Sequence, residues 1–284
     1  MFKKIADSLI SILKILLRSR IFVQKKIPRV LCDEKIIILG NGPSLKQTLE
    51  QHLPFVMNKK KLCVNAFVES NDYQKIQPDF YVLVDPAFWE KNVRADLRVI
   101  RDRIIKSIFN LTNWNLILLI PFEARSNQTF VSEICKNDNI KIIYFNKTTI
   151  SGLSWFSHFC FKKNLGIPRP QNVLIPSLML SINMGFKSIF LAGADHSWHQ
   201  NLIVNDQNEL CLNDPHFYND QEIKYKPIIS KSGRPLKLHE QFNAISIILK
   251  NYFIIEKYAQ YRNSSIFNVS ETSFIDAFQR LKID

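Results

Sequence analysis

The sequence has little glycine, no paired cysteine motif and no long apolar run, and each shortage excludes a class of protein. Seven of the 284 residues are glycine, which is about a third of the usual share of ~7%. Each glycine is therefore a candidate for a special turn. The five cysteines include no Cys-x-x-Cys pair, which argues against a disulfide scaffold or a zinc ribbon and favours a reducing compartment. No stretch approaches the ~20 apolar residues that a membrane-spanning helix needs.

The charge is strongly one-sided. Lysine and arginine total 38 against 25 aspartates and glutamates, so the formal net charge is +13. Such an excess is common in nucleic-acid-binding proteins, but the helix-turn-helix, zinc-finger and RNP-type patterns are all missing. We therefore predict no nucleic-acid partner, and we expect the positive charge to form a solvated surface or to face anionic lipid.

The N-terminal 20 residues are basic and amphipathic. Polar side chains recur at helical spacing on one face, at Lys4, Asp7, Ser11, Lys14 and Arg18. Apolar side chains fill the other face, at Phe2, Ile5, Leu9, Ile12, Leu13 and Leu16. A helix of this kind, followed by further basic residues, is typical of a membrane interface. We predict that residues 1–28 are a membrane-associating helix and linker, peripherally bound to the anionic inner-membrane surface on its cytoplasmic side; the alternative is a helix docked on the protein's own core.

After Pro28 short apolar runs alternate with helical stretches. The runs predict strands at Lys35–Leu39, Leu62–Asn65, Phe80–Val84, Leu116–Ile120, Lys141–Phe145, Ser188–Ala192 and Ser265–Val269. Helices are expected at Leu45–His52, Lys91–Phe109, Thr129–Asn137, Pro176–Met184 and Leu236–Tyr261. This alternation predicts an α/β, Rossmann-like domain over residues 29–284, with a mostly parallel sheet and helices on both faces. The polar segment at about 199–235 is the candidate lid.

The sharpest local signal is a glycine-rich turn, GNGPSL at 40–45, directly after the first predicted strand. Glycine permits a tight turn and close approach of a ligand, and a proline suits the start of a helix. Exposed N–H groups at a helix N-terminus favour phosphate. The turn matches neither G-x-G-x-x-G nor a Walker loop. We predict that it binds a nucleotide through Gly40, Asn41, Gly42, Pro43 and Ser44.

Four further motifs follow this turn in order: VNAF at 64–67, PDFY at 78–81 with Asp85-Pro86, NMGFKSIFLAGAD at 183–195, and NDPHFY at 213–218. Together the five blocks resemble the bacterial sialyltransferases of glycosyltransferase family 42. They are equally similar to the MptE-like domain of archaeal hydroxymethylpterin pyrophosphokinases and of flagellin-glycosylating motility accessory factors. The resemblance spans roughly residues 35 to 275.

The resemblance implies roles for particular residues. Asn65 matches an asparagine that contacts the nucleotide in those sialyltransferases, and His216 matches their catalytic histidine. Asp85 and Asp195 follow predicted strand ends, where open α/β sheets bind ligands. Asp85 could hold a ribose hydroxyl or an exocyclic amine of the ligand, or it could instead cap a turn. Asp195 could order its own loop through backbone N–H groups rather than contact the ligand. The candidates for steadying the departing phosphate are Tyr218, Tyr225, Lys231 and Arg234. Where those enzymes have phosphate-binding tyrosines after the Gly-x-Asp segment, this chain has His-Ser-Trp.

Metal ligands are scarce. The chain has no Asp-x-Asp pair, and His196 with His199 lacks a convincing third ligand nearby. We predict no metal and no cofactor besides the donor. A CMP-sugar suits such a site best, since the helix dipole and side chains would stabilise the leaving phosphate.

The predicted function is the metal-independent, inverting transfer of a CMP-activated, sialic-acid-like sugar to a hydroxyl group. The acceptor would be a bacterial surface glycan or glycolipid, as in lipopolysaccharide or capsule synthesis, and His216 would be the general base. The alternative is an MptE-like diphosphokinase that uses ATP on a pterin-type alcohol. A non-catalytic nucleotide-sugar-binding protein and a homo-oligomer both remain open.

Overall fold

The structure is a computed structural model that describes residues 1–20, 27–29, 34–213, 217, 225–230 and 233–283. The helices are α1 (Phe2–Arg18), α2 (Ser44–Gln51), α3 (Leu53–Met57), α4 (Tyr73–Ile76), α5 (Ala95–Leu111), α6 (Gln128–Ile134), α7 (Ser154–Lys162), α8 (Leu174–Met184) and α9 (Leu238–Tyr261). The strands are β1 (Lys35–Leu39), β2 (Lys60–Val64), β3 (Phe80–Val82), β4 (Leu116–Pro121), β5 (Ile140–Phe145), β6 (Ser188–Ala192), β7 (Leu202–Val204), β8 (Leu210–Leu212), β9 (Lys226–Pro227), β10 (Ser265–Asn268) and β11 (Gln279–Arg280).

The described residues form one large parallel sheet with the strand order β11-β10-β6-β1-β2-β3-β4-β5. Each face of this sheet has its own apolar core. In β1, Ile36 and Ile38 belong to one core, while Ile37 and Leu39 belong to the other. Helices α1, α7, α8 and α9 contribute to the first core, and α2 to α6 contribute to the second. A strand buried on both faces explains the uninterrupted apolar sequence KIIIL.

The predicted Rossmann-like α/β fold is confirmed. All seven predicted strands are present; β1 and β6 have the predicted ends, and the other strands differ at their ends by one or two residues. The prediction missed α7, whose sequence SWFSHFCFK is dense in aromatic residues of middling helix propensity. It also missed the short edge strand β11, because two residues are too few to show a period.

Part of the predicted lid segment is folded as a second, antiparallel sheet with the order β7-β8-β9. The lid function itself stays a prediction. Three of its predicted site residues, His216, Tyr218 and Lys231, lie outside the described residues.

The predicted N-terminal helix is present as α1. It packs on the body of the protein through Ser8, Ser11 and Ile15, which are buried. Among the described helices, none combines the length and the apolar character that crossing a bilayer requires.

Candidate functional site

A cavity of about 620 Å³ lies at the carboxyl ends of the parallel strands. It is lined by residues that follow β1, β2, β3, β5 and β6, and by the loop before α8. The chain runs outward from β1 through β2 to β5 and then returns to the other side of β1 with β6. The cavity therefore lies at the point where the strand order reverses, which is where open α/β sheets bind ligands. Its volume is within the range of small-molecule sites.

The glycine-rich turn after β1 is packed against the end of β6. A Cβ atom on Gly40 would lie 2.5 Å from the carbonyl oxygen of Gly193, and a Cβ atom on Gly193 would lie 2.6 Å from that of Gly40. The Gly40 N–H group donates to the carbonyl of Ala192 at 2.8 Å. These glycines are therefore required because two backbones meet here, whatever ligand the cavity holds.

Asp195 lines the cavity and joins three segments of the chain. Its Oδ1 accepts hydrogen bonds from the Ser44 N–H at 3.2 Å and the Thr272 hydroxyl at 3.0 Å, and its Oδ2 accepts one from the Ser44 hydroxyl at 3.0 Å. A Cβ atom on Gly42 would lie 2.0 Å from Oδ2. Burial raises the pKa of Asp195, although these donors act in the opposite direction. These bonds hold the glycine-rich turn and Thr272 to the loop that carries Asp195. Contact of Asp195 with a ligand stays a prediction.

The N-terminus of α2 is already occupied by this carboxylate. The Gly42 N–H donates to the carbonyl of Gly193 at 2.9 Å, and the Leu45 N–H donates to that of Gly42 at 3.0 Å. The Ser44 N–H is bonded to Asp195. The expectation that these N–H groups are exposed is therefore wrong, because Asp195 accepts from one of them and backbone carbonyls accept from the other two. Phosphate binding by the turn stays a prediction.

Two asparagines line the cavity with buried amide oxygens. Asn41 donates through Nδ2 to the carbonyl of Val64 at 3.2 Å, and Asn65 adopts a left-handed backbone with φ 48°. The Tyr81 hydroxyl holds that backbone by donating to the Asn65 carbonyl at 2.7 Å. Within the described residues, neither Asn41 Oδ1 nor Asn65 Oδ1 has a hydrogen-bond partner. Buried acceptors without a partner are costly, so they are candidates for contact with a ligand.

Asp85 also lines the cavity. Its Oδ1 accepts from the Ala87 N–H at 2.9 Å and so caps the short 3-10 helix Pro86–Phe88. The turn-cap alternative is therefore present in the structure. The exposed carboxylate still faces the cavity, and its contact with a ribose hydroxyl or an amine stays a prediction.

His196 is a cavity residue that the sequence suggested only as a metal ligand. Its Nε2 lies 2.7 Å from the Tyr252 hydroxyl and 3.3 Å from Asn172 Nδ2, while Asn172 Nδ2 donates to the Tyr252 hydroxyl at 2.8 Å. Both neighbours can donate toward Nε2, which assigns the ring proton to Nδ1. Burial lowers the pKa of His196 to about 3. The imidazole is therefore neutral at pH 7 and is a poor acceptor for a proton.

Lys147 supplies a cation to the cavity wall, and the sequence analysis missed it. It follows β5 by two residues, and its Nζ lies 5.0 Å from the centre of the Trp89 ring. The rule that singled out Asn65 and Asp85 was that ligands bind at strand ends. Applied to β5, the same rule would have found Lys147.

Two of the predicted phosphate contacts are not part of the cavity. Tyr225 and Arg234 do not line it, and the Arg234 guanidinium is paired with Glu240 at 2.5 Å, near the start of α9. Phe217, by contrast, donates from its backbone N–H to the carbonyl of Asn41 at 3.2 Å. Its ring centre lies 5.4 Å from that of Phe67.

Acidic and metal-binding side chains are dispersed. In the part of the chain that the structure describes, no group of three or more His, Cys, Asp or Glu side chains is placed to hold a metal ion. The metal-free mechanism stays a prediction.

Comparison with known proteins shows a weak structural likeness to a solved structure. No protein-family model matches the chain, and no curated protein matches it. Among solved structures it is similar to the MAf glycosyltransferase from Magnetospirillum magneticum AMB-1, with a TM-score of 0.48 and 13% identity. The match covers 95% of this chain and 37% of the other, so this chain spans little more than a third of that protein's length. Likeness at this level adds nothing to the sheet topology described above.

Proposed function

We propose that the protein is a glycosyltransferase that uses a CMP-activated, sialic-acid-like sugar. An acceptor hydroxyl attacks the anomeric carbon, the bond from that carbon to the phosphate oxygen breaks, and CMP leaves with the bonding electrons. His216 takes the proton from the hydroxyl as general base. Attack opposite the leaving group inverts the configuration at the anomeric carbon.

The observation that carries this proposal is the convergence of separate sequence blocks on one cavity. The cavity is lined by four residues of the glycine-rich turn and by residues of three later blocks, although up to about 150 residues separate them in the sequence: Gly40, Asn41, Gly42, Pro43, Asn65, Asp85, Gly193 and Asp195. Ser44 does not line it. The sialyltransferase resemblance predicts this grouping, and the position at the strand reversal supports a nucleotide as the ligand.

Two cavity features support an anionic donor with an amine-bearing base. Lys147 provides positive charge on the wall for a phosphate or a sugar carboxylate. The unpartnered amide oxygens of Asn41 and Asn65 are acceptors, which suit the exocyclic amine of cytosine once the side chains adjust to the bound base.

The choice of base rests on His216. His196 is unsuited, because its lowered pKa keeps it from holding a proton near neutral pH. His216 lies outside the described residues. What supports its role is its neighbour Phe217, whose backbone is bonded to Asn41 in the glycine-rich turn.

Isothermal calorimetry tests the donor class. We expect CMP to bind in the presence of EDTA, with UDP and GDP weaker and ATP weaker still. ATP binding that requires Mg²⁺, together with no binding of CMP, would overturn the proposal and favour the diphosphokinase alternative.

Release of CMP from CMP-sialic acid tests the base. We expect His216→Ala to lower this rate by about 10²-fold or more, the usual contribution of a general base, while CMP affinity stays within about twofold. His239→Ala is the matched control, because His239 is exposed at the start of α9 and does not line the cavity. Unchanged CMP release by the His216 variant would refute its role.

A further inference from the structure

Helix α1 is seated on the protein by its small polar side chains. The Ser11 hydroxyl donates to the carbonyl of Ser151 at 2.9 Å and accepts from the Ser151 N–H at 3.0 Å. The Ser8 hydroxyl accepts from the Leu153 N–H at 3.0 Å. These bonds tie one face of the helix to the loop before α7.

The contact between helix and loop is close and specific. A Cβ atom on Gly152 would lie 2.2 Å from Ser8 Oγ and 2.7 Å from the Ser8 backbone nitrogen, and Gly152 has φ 128°. Only glycine fits under the helix in this conformation. Just past the helix end, the Ser19 hydroxyl donates to the carbonyl of Leu165 at 2.6 Å. The rotation of α1 about its axis is therefore determined by these contacts.

This rotation turns the apolar face of α1 outward. Of its apolar side chains, Ile15 alone is buried among the described residues. Leu9, Leu13, Leu16 and Leu17 are between 57% and 69% exposed, and Phe2 is 90% exposed. An amphipathic helix that packs against the core buries its apolar face and exposes its polar face. The helix thus docks on the protein through Ser8, Ser11 and Ile15, and membrane association of its apolar face stays a prediction.

The same region carries positive charge and exposed aromatic rings. Residues 1–20 contain five lysines and arginines and one aspartate. On α7, which begins directly after Leu153, Trp155 is 70% exposed and Phe159 is 53% exposed. Leucine and aromatic side chains beside Lys and Arg are what a bilayer interface with anionic headgroups binds.

We propose that the outward face of α1, together with Trp155 and Phe159, binds the surface of an anionic lipid bilayer. The hydrogen bonds of Ser8 and Ser11 to the loop before α7 hold the helix in the orientation that this contact needs. The charge of the segment and the length of the helix, 17 residues lying along the surface, fit this partner. The proposal does not depend on the identity of the donor nucleotide.

The contacts that hold α1 on the protein also extend toward the cavity. Ser19 Oγ lies 3.0 Å from Thr148 Oγ1, and the preceding residue Lys147 lines the cavity. A helix with its side chains is about 10 Å across, so a bound bilayer would lie close to the cavity wall. An acceptor attached to that membrane would then be within reach of the site.

Vesicle flotation of the 284-residue chain tests the proposal. We expect binding to phosphatidylcholine vesicles that contain about 30% phosphatidylglycerol, and weaker binding to phosphatidylcholine alone, because the cations need anionic headgroups. The triple variant Leu13→Ser, Leu16→Ser and Leu17→Ser should lower the partition coefficient at least about 10-fold, since three apolar side chains no longer leave water. The variant's melting temperature should be unchanged.

The matched control replaces three exposed apolar residues of α5, by Leu97→Ser, Val99→Ser and Ile100→Ser, and should bind vesicles like the wild type. Equal loss in both triple variants would overturn the proposal. So would a lower melting temperature of the α1 variant, which would mean that the face is packed within the protein. A wild-type dimer that the α1 substitutions dissociate, without vesicle binding, would identify a second copy as the partner instead.

Discussion

Asp195 and His196 are consecutive residues at the end of β6, yet burial moves their pKa values in opposite directions. The pKa of Asp195 is raised and that of His196 is lowered to about 3, and in both cases burial is the largest cause. The physical reason is the same for both, because a low-dielectric surrounding disfavours charge of either sign. Three hydrogen-bond donors, from Ser44 and Thr272, partly stabilise the charged form of Asp195. The imidazole of His196 is instead held in its neutral form by burial.

The comparison teaches how two residues that both line the cavity are held by their hydrogen-bond partners. The Asp195 carboxylate is bonded to Ser44 and Thr272, so its oxygens are engaged in holding the turn and the sheet together. His196 lines the cavity too, and its Nε2 lies 2.7 Å from the Tyr252 hydroxyl. Both residues line the cavity, but the Asp195 oxygens already accept hydrogen bonds from Ser44 and Thr272.

The largest expected effect comes from a substitution that disturbs the contacts of Asp195 and leaves His196 unchanged. Gly42→Ala places a Cβ atom 2.0 Å from Asp195 Oδ2 and 2.7 Å from the Gly193 carbonyl, so the turn must move. We expect the free energy of unfolding in urea to fall by about 3 kcal/mol or more, with CMP binding lost as well.

Gly185→Ala is the control for this substitution. Gly185 has φ 102°, but no atom lies within 4 Å of an added Cβ, so only backbone strain of about 1–2 kcal/mol is expected. Equal losses for the two variants would mean that contact with Asp195 does not matter.

A second prediction separates the two residues by their response to pH. His196 binds a proton in the unfolded chain below pH 6.5 but in the folded chain only near pH 3. Stability is therefore fully present above 6.5 and falls as pH falls through this window, by up to about 1.4 kcal/mol per pH unit. Asp195 acts oppositely: its raised folded pKa means that stability falls as pH rises from 3.8 through that pKa.

Urea unfolding between pH 5 and 7 measures the His196 contribution. His196→Asn cannot titrate there and suits the left-handed backbone at φ 55°, so the slope should become flatter than in the wild type. Burial also lowers the pKa of His158, and the difference between the two proteins removes this shared contribution. Identical slopes would show that His196 is not held neutral.

The smallest effect is expected for the hydroxyl that orients His196. Tyr252→Phe leaves Nε2 with Asn172 at 3.3 Å as its neighbour, and we expect a loss of about 1 kcal/mol in the free energy of unfolding. Tyr258→Phe removes a comparable buried hydroxyl, bonded to Asn183 at 2.6 Å, and serves as control. CMP affinity should fall in the first variant and not in the second; the reverse would remove His196 from the site.

The sheet could be predicted in detail, because burial on both faces leaves a continuous apolar run in each strand. KIIIL in β1 and SIFLA in β6 are such runs. The positions of Asn65 and Asp85 in the cavity followed from the rule on strand ends. Lys147 was missed because the rule was not extended to β5, whereas His196 was noticed but interpreted through metal chemistry.

Other features could not be predicted, because they depend on contacts between distant residues. That Asp195 binds Ser44, 151 positions away, cannot be inferred from either motif alone. The pairing of Arg234 with Glu240 likewise engages a predicted phosphate contact in a local ion pair that composition does not indicate.

By itself the sequence determined the parallel α/β fold, the edge of the sheet that holds the cavity, and the existence of an amphipathic first helix. Period and strand-end position are local properties, so one chain is enough to show them. Only the tertiary structure decided which groups are engaged within the protein: Asp195 with Ser44 and Thr272, and Ser8 and Ser11 with the loop before α7. The physical reason is that buried polar groups must find partners. Those partners leave His196 in the cavity wall and the leucines of α1 exposed at the surface.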